Sequence, residues 1–414
     1  MKILMLCDFY HESLEYQEQL CAKFYVKRGH AVTVVTSTHE SVFDYMADRH
    51  DNQRPARTYE HRGVKIIRLP YRYNVLHRLK AFQPLDSLLA AEAPDLIFVH
   101  DIMLNFPDCV RYLKRHSRAR MIMDYHADYS NSGKNLVSRK ILHGVCRKWF
   151  LDRARPYLSK IFPVVPASAV FLHQIYKVPF SEMELLPLGA DIAAAAAVRQ
   201  SGIREVLRPR LGIGASDVVI FTGGKLAPAK KTELLIAAAE QLQQFAPHIV
   251  VVGQAGAEDA TYGEMLSRLA ARNPRVHMVG WLDQDDLNRH LAIADLAVFP
   301  ASQSILWQQS IAMGLPLIVG DTGHQDIAYL NTERNIIILR NEEIRADRLA
   351  AAIAGVIGDP SRMRAMSEGA LRVADEHLNW DRLLERTLRF NDASPAPVTA
   401  ADTGRDWGSE LRTR

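Results

Sequence analysis

The chain has 414 residues, of which 48% are hydrophobic and 24% are charged, a composition typical of a globular protein and not of a disordered or fibrous one. A chain of this length forms about two to four domains, most simply two. The formal net charge of +4 is too small to indicate nucleic-acid binding, and we expect no nucleic-acid partner.

Membrane-spanning and secretory segments are not expected. No stretch reaches the ~18–20 uninterrupted apolar residues that a membrane span needs. The N-terminal MKILMLCDFY has some features of a leader, but acidic residues from Asp8 onward arrive too early, and we interpret it as a buried first strand. The four cysteines form no CxxC pair, so neither a disulfide framework nor a zinc site is expected. The sequence therefore favours a cytoplasmic location.

The first half of the chain alternates short apolar runs with amphipathic stretches, one of which predicts a helix over Glu15–Lys27. The apolar runs that predict strands are Lys2–Cys7, Ala31–Thr36, Val64–Arg68, Leu96–His100 and Met121–Tyr125. Because these runs are continuous rather than alternating, they are typical of parallel strands covered by helices on both faces. Strand and helix in alternation predict a doubly wound α/β domain.

The second half repeats this pattern, with a predicted helix over Thr232–Phe245. Its predicted strands are Val218–Thr222, His248–Val252, Val276–Val279, Leu296–Phe299, Leu317–Val319 and Asn335–Leu339. We therefore expect an N-terminal domain over 1–190 and a C-terminal domain over 191–373, with a ligand outside the carboxyl ends of the strands. The segment 394–414 is poor in large apolar residues and is predicted to be a disordered tail.

The strongest local signal is the run FTGGKLAPAKK at residues 221–231. A strand ends at Gly223 and Gly224, where the backbone can approach a ligand, and three lysines that include Lys225 and Lys230 precede a helix. Free N–H groups at a helix N-terminus, together with cations, favour an anion. The run is neither a P-loop nor a GxGxxG fingerprint. The alternative is a tight turn before a solvated basic helix, but two glycines at a strand end favour diphosphate binding.

Residues 134–160 carry eight basic residues and one acidic residue, Asp152, with apolar and aromatic residues between them. This pattern predicts a basic amphipathic helix suited to an anionic membrane surface. The alternative is the solvated face of a helix that packs on the core. The segment is therefore interpreted either as a site of peripheral contact with the inner face of the membrane or as the solvated face of a core helix.

The acidic run DQDD at 283–286 resembles a DxD metal motif. It stands directly before a predicted helix over Leu287–Ala292, so helix capping and the helix dipole explain it better. We find no Ser/His/Asp triad with supporting loops. Because lysines and a helix N-terminus can stabilise a leaving diphosphate, no metal and no other cofactor is expected.

Six segments, in the right order and at similar spacing, resemble the GT-B glycosyltransferases of the large retaining group called family 4. The segments are MKILMLCDFY…KRGHAVTVVTS, PDLIFVH, LPLGAD, FTGGKLAPAKK, HMVGWLDQDDLNRHLAIADLAVFPAS and SIAMGLP. The resemblance extends from Met1 to about Asn391. It implies two doubly wound Rossmann-like domains facing a cleft, with a C-terminal helix at about 374–391 that returns to the N-terminal domain.

The resemblance implies that the C-terminal domain binds the donor, a UDP- or GDP-sugar. The family's Arg and Lys that bind the diphosphate correspond to Lys225 and Lys230, so a point charge replaces one guanidinium fork. The family's ribose-binding glutamate corresponds to Gln309, whose amide can still bond hydroxyls. The base is implied to lie beside Gly280, Trp281 and Leu282.

Two features differ from the family pattern. The glutamate that lies near the donor sugar is absent, and Gln303, Ser304 or Ser302 is the candidate to face that sugar instead. The acceptor-side loop has Glu15, Tyr16 and Gln17 where the family has glycines. Asp128 and Asn131 are further candidate acceptor ligands.

His126 follows the strand Met121–Tyr125 and corresponds to a family histidine that faces the donor sugar. A lone histidine after a strand is commonly structural, but a position at the carboxyl end of a strand favours a functional role. His126, Lys225 and Lys230 are thus the implied catalytic residues.

The resemblance implies a retaining, metal-independent hexosyltransferase that acts on a glycan or lipid-linked acceptor in cell-surface polysaccharide synthesis. One alternative is a nucleotide-sugar epimerase of the same fold, but no convincing pair of acid–base carboxylates is present. Another is a nucleotide-sugar-binding protein without catalytic activity, which the absent glutamate favours slightly. A dehydrogenase is disfavoured because the glycine fingerprint is missing.

Overall fold

A computed structural model describes residues 1–12, 16–41, 45, 54–75, 77–129, 132, 136–301, 304–323 and 326–389. The chain forms two compact units. The first contains Met1–Pro187 and the chain from Trp380 onward, and the second contains Leu188–Asn379. The sequence suggested a boundary at 190/191 and a return at about 374, whereas the chain leaves the first unit after Pro187 and re-enters it at Trp380. The predicted disordered tail at 394–414 lies outside the described residues.

The first unit is built on a seven-stranded sheet and a separate hairpin. Its strands are β1 (Lys2–Leu6), β2 (Ala31–Ser37), β3 (Arg57–His61), β4 (Val64–Leu69), β5 (Tyr71–Val75), β6 (Leu79–Phe82), β7 (Leu96–His100), β8 (Arg120–Tyr125) and β9 (Leu158–Pro163). The sheet order is β3-β4-β2-β1-β7-β8-β9, and β5 pairs with β6. All neighbours in the sheet are parallel except β3 and β4, which are antiparallel.

Helices cover both faces of this sheet. They are α1 (Gln17–Lys27), α2 (Asp86–Glu92), α3 (Phe106–Arg115), α4 (Lys148–Ala154) and α5 (Pro166–Tyr176), with a π-helix over Ser138–Arg147. Successive strand residues point to opposite faces, so continuous apolar strands bury both. Leu4 and Val99 belong to the core of one face, and Met5 and Phe98 belong to the core of the other.

The second unit has a six-stranded, wholly parallel sheet. Its strands are β10 (Val219–Gly223), β11 (His248–Val252), β12 (Val276–Gly280), β13 (Leu296–Phe299), β14 (Leu317–Asp321) and β15 (Ile336–Arg340), in the order β12-β11-β10-β13-β14-β15. Its helices are α6 (Ile192–Arg199), α7 (Ile203–Arg210), α8 (Thr232–Glu240), α9 (Ala260–Ala270), α10 (Gln284–Ala292), α11 (Leu306–Ala312), α12 (Ala346–Ile357) and α13 (Pro360–Val373).

The last described helix, α14 (Trp380–Leu388), packs on the first unit. Trp380 and Leu384 are buried in the same core as Phe24 of α1. The Tyr25 hydroxyl lies 2.5 Å from the hydroxyl of Thr387. The C-terminal segment therefore completes one face of the first sheet.

The predicted doubly wound α/β fold is confirmed, but the sequence interpretation of 134–160 as one helix is wrong in its last part. The helical turns end at Tyr157, and Lys160 lies on β9. Pro156 stands in the final turn, and the apolar residues after it enter the sheet. Within the described residues, no helix has both the length and the apolarity needed to cross a bilayer.

Candidate active site

Two loops of the second unit meet where its strand order reverses. The strand β10 has β11 on one side and β13 on the other, so the chain leaves these strands in opposite directions across the sheet. In doubly wound sheets this reversal opens a crevice outside the carboxyl ends of the strands. Ser304, which follows β13, has its Oγ 3.6 Å from the position that a Cβ on Gly224 would take. The loops after β10 and β13 are thus neighbours at that crevice.

Glycine is required at Gly223, the last residue of β10, and at Gly224 for two different structural reasons. A Cβ on Gly223 would lie 2.6 Å from the carbonyl oxygen of Val252 on the neighbouring strand, so strand packing alone requires glycine there. Gly224 has φ +114°, a conformation that side-chain-bearing residues rarely adopt. The sequence argument assigned both glycines to ligand approach, but for Gly223 the close neighbour is the protein backbone.

Lys230 lies beside Gly224 at this crevice. Its Nζ is 3.9 Å from the Cβ position of Gly224, beside Ser304. Burial lowers the pKa of the Lys230 ammonium to about 8, because a charge that has lost water is less stable. An arriving phosphate would replace that lost solvation, so the site is suited to an anion.

Lys225 points to a different partner. Its ammonium pairs with the carboxylate of Glu258, and both side chains are well exposed. Exposed ion pairs of this kind contribute little stability. A diphosphate at Lys225 would therefore compete with Glu258 rather than with solvent alone.

The N-terminus of α8, which follows the lysines, is partly satisfied by the protein. The backbone N–H of Thr232 donates to the Tyr262 hydroxyl at 2.9 Å, and that of Leu234 donates to the carbonyl of Lys231 at 3.0 Å. The anion-binding capacity of this loop thus depends on Lys230 more than on the helix amides that the sequence argument invoked.

The implied ribose and base residues lie on α11, at the end of β12 and in the loop between β12 and α10. Gln309 on α11 donates from Nε2 to Oε1 of Gln284 at 3.3 Å. Trp281 is 58% exposed directly after β12, Gly280 ends that strand, and Leu282 is half-buried. The Asp283 side chain accepts a hydrogen bond from the N–H of Asp286 at 2.8 Å, which confirms that the acidic run caps a helix.

A second polar cluster lies at the carboxyl ends of β7 and β8 in the first unit. The buried Asp124 on β8 accepts from Gln17 Nε2 at 3.0 Å, and its Oδ2 lies 2.7 Å from Nδ1 of His100. The same oxygen lies 3.4 Å from Nε2 of His126. Since β1 and β7 are the strands between which this sheet reverses its order, the cluster is at the corresponding crevice.

The ionisation of this cluster follows from its burial and its neighbours. Burial acts to raise the pKa of the Asp124 carboxyl, but the imidazoles of His100 and His126 outweigh burial and hold this pKa below its usual range. Burial acts to lower the pKa of His126, but the Asp124 carboxylate raises it to about 9. The His126 side chain is 33% exposed, although its Nε2 is shielded from solvent. His126 is therefore an imidazolium at neutral pH.

Two of the candidate acceptor residues, Tyr16 and Asp128, belong to the described residues. Tyr16 is 36% exposed at the start of α1. Asp128 is only 1% exposed, which leaves its carboxylate little access to a sugar hydroxyl. Glu15, Asn131 and Gln303 lie outside the described residues.

The sequence interpretation missed His100, Asp124, Gln17 and Glu18 as members of this cluster. A usable signal was present, because His100 and Asp124 are polar residues at the ends of otherwise apolar strands. Polar residues at that edge of a parallel sheet face the ligand crevice.

The fold is shared with solved glycosyltransferase structures. The chain is 18% identical to the Anabaena protein Alr3699/HepE solved in complex with UDP, with a TM-score of 0.65 over 94% of this chain and 98% of that chain. It is 16% identical to WaaG, described as a glycosyltransferase involved in lipopolysaccharide biosynthesis, with a TM-score of 0.58 over 94% of this chain and 100% of that chain. At these identities the likeness shows the fold, and that fold defines the GT-B class.

Family profiles match most of both units. Residues 16–189 match the family described as "Glycosyl transferase 4-like domain", and residues 216–359 match "Glycosyl transferases group 1". The chain therefore belongs to the group 1 glycosyltransferases of the family-4 type, as its sequence resemblance implied. It is 24% identical over 220 residues to the D-inositol 3-phosphate glycosyltransferase of Jonesia denitrificans, which covers 51% of each protein. The chain thus matches about half the length of such curated relatives.

Proposed function

We propose that this protein transfers a sugar from a nucleoside-diphosphate sugar to a glycan or lipid-linked acceptor, with retention of anomeric configuration. The observation that carries the proposal is the position of Lys230, a half-buried lysine whose ammonium lies beside Gly224 and Ser304 at the crevice of the second sheet. A preorganised cation in a site of low polarity stabilises the charge that develops on a leaving diphosphate.

The remaining roles are assigned to residues of each unit. In the second unit, Lys225 is the additional diphosphate ligand, Gln309 holds the ribose, and Trp281 borders the base. In the first unit, His126 contacts the transferred sugar, and its charge stabilises negative charge near that sugar. None of these roles requires a metal ion.

The comparisons support a nucleotide-sugar donor and a surface-glycan context. The Anabaena protein of the same fold was solved in complex with UDP, and also with UDP and glucose and with UDP-glucose. WaaG is described as acting in lipopolysaccharide biosynthesis. We therefore extend the proposal to a UDP- or GDP-sugar donor and to cell-surface polysaccharide synthesis.

A thermal-shift screen against UDP, GDP, ADP and CDP tests the donor class, because a ligand that binds only the folded state raises the midpoint of unfolding. One diphosphate is expected to raise it clearly more than the matching monophosphate. Equal responses to all diphosphates and to inorganic pyrophosphate would contradict a nucleotide site. Radiolabelled-sugar transfer with the selected donor then separates a transferase from a binding protein without turnover.

We further propose that the first unit lies on an anionic membrane surface through the segment 136–153. Five of the eleven exposed large hydrophobic residues among the described ones fall in this segment. They are Leu136 (64% exposed), Val137 (67%), Ile141 (57%), Val145 (62%) and Trp149 (47%). A spacing of four from Val137 to Trp149 keeps these side chains on one side of a helix.

Basic side chains border this apolar stripe. Arg139, Lys140 and Arg153 are interleaved with it, and the Arg153 guanidinium stacks over the Trp149 ring at 3.4 Å from its centroid. Exposed apolar residues flanked by cations favour the headgroup region of an anionic bilayer. An acceptor anchored in a lipid would be presented at such a surface.

Vesicle sedimentation tests the membrane proposal. Wild-type protein is expected to bind phosphatidylglycerol vesicles and not phosphatidylcholine vesicles. The double substitution Ile141→Glu and Val145→Glu is expected to abolish binding, whereas Val206→Glu, at an exposed apolar position of the second unit, serves as the matched control. Equal binding by the double variant would overturn the proposal.

A further inference from the structure

The polar cluster of the first unit contains three side chains with metal-ligand chemistry. One ligand atom from each of Glu18, His100 and His126 lies within 4.8 Å of the other two. Glu18 stands in the first turn of α1, His100 ends β7 and His126 follows β8. Three separate elements thus bring one side chain each to the same point. The cluster is therefore formed by the fold and not by neighbouring residues of a single loop.

His100 is held in the orientation that a metal ligand needs. Its Nδ1 lies 2.7 Å from Oδ2 of Asp124, and the residue is only 4% exposed. Its Nε2 is buried and has no hydrogen-bond partner among the described residues. A carboxylate that accepts from one ring nitrogen fixes the tautomer and leaves the other nitrogen to bind a metal. The unsatisfied Nε2 is therefore the nitrogen that is left to bind an ion.

The surroundings of His100 supply the rest of a metal environment. Asp124 is itself anchored by Gln17, whose Nε2 donates to it at 3.0 Å. When His126 is in its neutral, metal-binding form, the carboxylates of Glu18 and Asp124 carry two negative charges that a divalent cation would balance. Glu18 and His126 are half-buried, so solvent can reach the cluster from one side.

We infer that Glu18, His100 and His126 form a binding site for a divalent transition-metal ion such as Zn²⁺. Two imidazoles and one carboxylate, with an open fourth position, are a ligand set typical of Zn²⁺ and related ions, whereas Mg²⁺ and Ca²⁺ prefer oxygen ligands. Binding displaces the proton of His126 to solvent, because only a neutral imidazole has a lone pair for the metal. In tetrahedral coordination with bonds of ~2.0–2.1 Å, the ligand atoms are about 3.4 Å apart. The three side chains therefore need to move inward by less than about 1 Å to bind the ion.

His126 belongs both to this metal site and to the proposed contact with the transferred sugar. The metal site is inferred from the positions of Glu18, His100 and His126 alone, so it does not depend on the sugar contact. A cation bound there would occupy His126, so we expect it to inhibit transfer rather than to support it.

Metal binding to the full chain tests the inference without any nucleotide. Zn²⁺ competition against a chromogenic chelator is expected to show one tight equivalent, and Co²⁺ is expected to show the intense visible absorption of a four-coordinate ion. Glu18→Gln and His100→Gln should each weaken binding at least about tenfold, since even changes around a metal ligand cost that much. His116→Gln, at an exposed histidine after α3, is the matched control and should bind as the wild type does.

His100→Gln removes a buried group and can impair folding, so Glu18→Gln, at a half-buried position, keeps the test decisive. The inference is overturned if wild-type protein shows no saturable Zn²⁺ binding, or if Glu18→Gln binds Zn²⁺ as tightly as the wild type does. Because the nucleotide proposal is tested at Lys230 in the second unit, either proposal can fail without the other.

Discussion

The Oδ2 atom of Asp124 lies 3.4 Å from Nε2 of His126, two residues further along the chain. The carboxylate is fully buried, while the imidazole ring reaches solvent on one side. A buried negative charge thus holds a proton on a ring that a ligand can approach. The same carboxylate also accepts from Gln17.

The Asp124–His126 pair predicts a loss of stability between about pH 6.5 and 9. An unfolded histidine titrates near pH 6.5, whereas the pKa of His126 in the folded protein is about 9. A raised pKa in the folded state stabilises it fully below the unfolded pKa, and this contribution is lost as pH rises through the folded pKa. We expect a loss of about 1–2 kcal/mol, after allowing for the solvent exposure of the ring.

Urea unfolding of wild type and His126→Gln at pH 6 and pH 9.5 measures this contribution. The wild type should lose more stability between the two pH values than the variant does. His116→Gln should retain the wild-type difference. The same pH dependence in His126→Gln and in the wild type would mean that Asp124 does not hold a proton on His126.

Replacement of Lys230, the half-buried lysine at the crevice of the second unit, should reduce transfer strongly. Lys230→Gln removes the ammonium beside Gly224 and keeps a polar side chain of similar length. Loss of one preorganised group that stabilises developing charge typically costs about 2–4 kcal/mol, or about 30- to 1000-fold in kcat. The neighbouring Lys231→Gln is the matched control and should lower kcat far less, because Lys230 and Ser304, not Lys231, are the side chains beside Gly224. Comparable losses of kcat in Lys230→Gln and Lys231→Gln would contradict a specific role of Lys230 and indicate only a general effect of positive charge.

The glutamine on α11 should contribute to the selection of ribose. Gln309 donates to Gln284, and its Oε1 is buried without a hydrogen-bond partner among the described residues. Hydrogen bonds to charged groups are worth about 1.5–3 kcal/mol, against about 0.5–1.5 kcal/mol for neutral ones. Gln309→Glu should therefore change the affinity for the ribonucleoside diphosphate more than that for its 2′-deoxy analogue, as measured by calorimetry. Equal changes for both nucleotides would place the ribose elsewhere.

The glycine that ends β10 should not tolerate a methyl group. In Gly223→Ala the new Cβ would lie 2.6 Å from the Val252 carbonyl oxygen and 3.2 Å from Leu306 Cδ1. Overpacking of this kind costs about 1–3 kcal/mol, so the midpoint of thermal unfolding should fall. In Gly355→Ala on α12, the new Cβ would lie 3.4 Å from its nearest neighbour, Nη1 of Arg362. This substitution should stabilise the fold by about 0.5–1 kcal/mol, because alanine favours helices more than glycine does. An unchanged midpoint for Gly223→Ala would mean that β10 and β11 can separate locally.

The sequence predicts the buried parallel strands well because their apolar runs are continuous, as in β1 and β10. It does not predict β3 or the β5–β6 hairpin, whose residues are largely polar and exposed. The glycine pair follows a strand, as the sequence predicts, but the role of Gly223 depends on Val252, and a contact between strands cannot be read from the local pattern. The cluster around Asp124 joins residues from three elements, so no single motif contains it.

The attachment of α14 to the first unit has a consequence for the order of folding during synthesis. All of Leu188–Asn379 leaves the ribosome before Trp380 does. The second unit can therefore complete its core while the face of the first sheet that receives Trp380 and Leu384 is still uncovered. Until the last helix emerges, that apolar face is exposed to chaperones and to other nascent chains, so aggregation during synthesis is expected to originate from the N-terminal half.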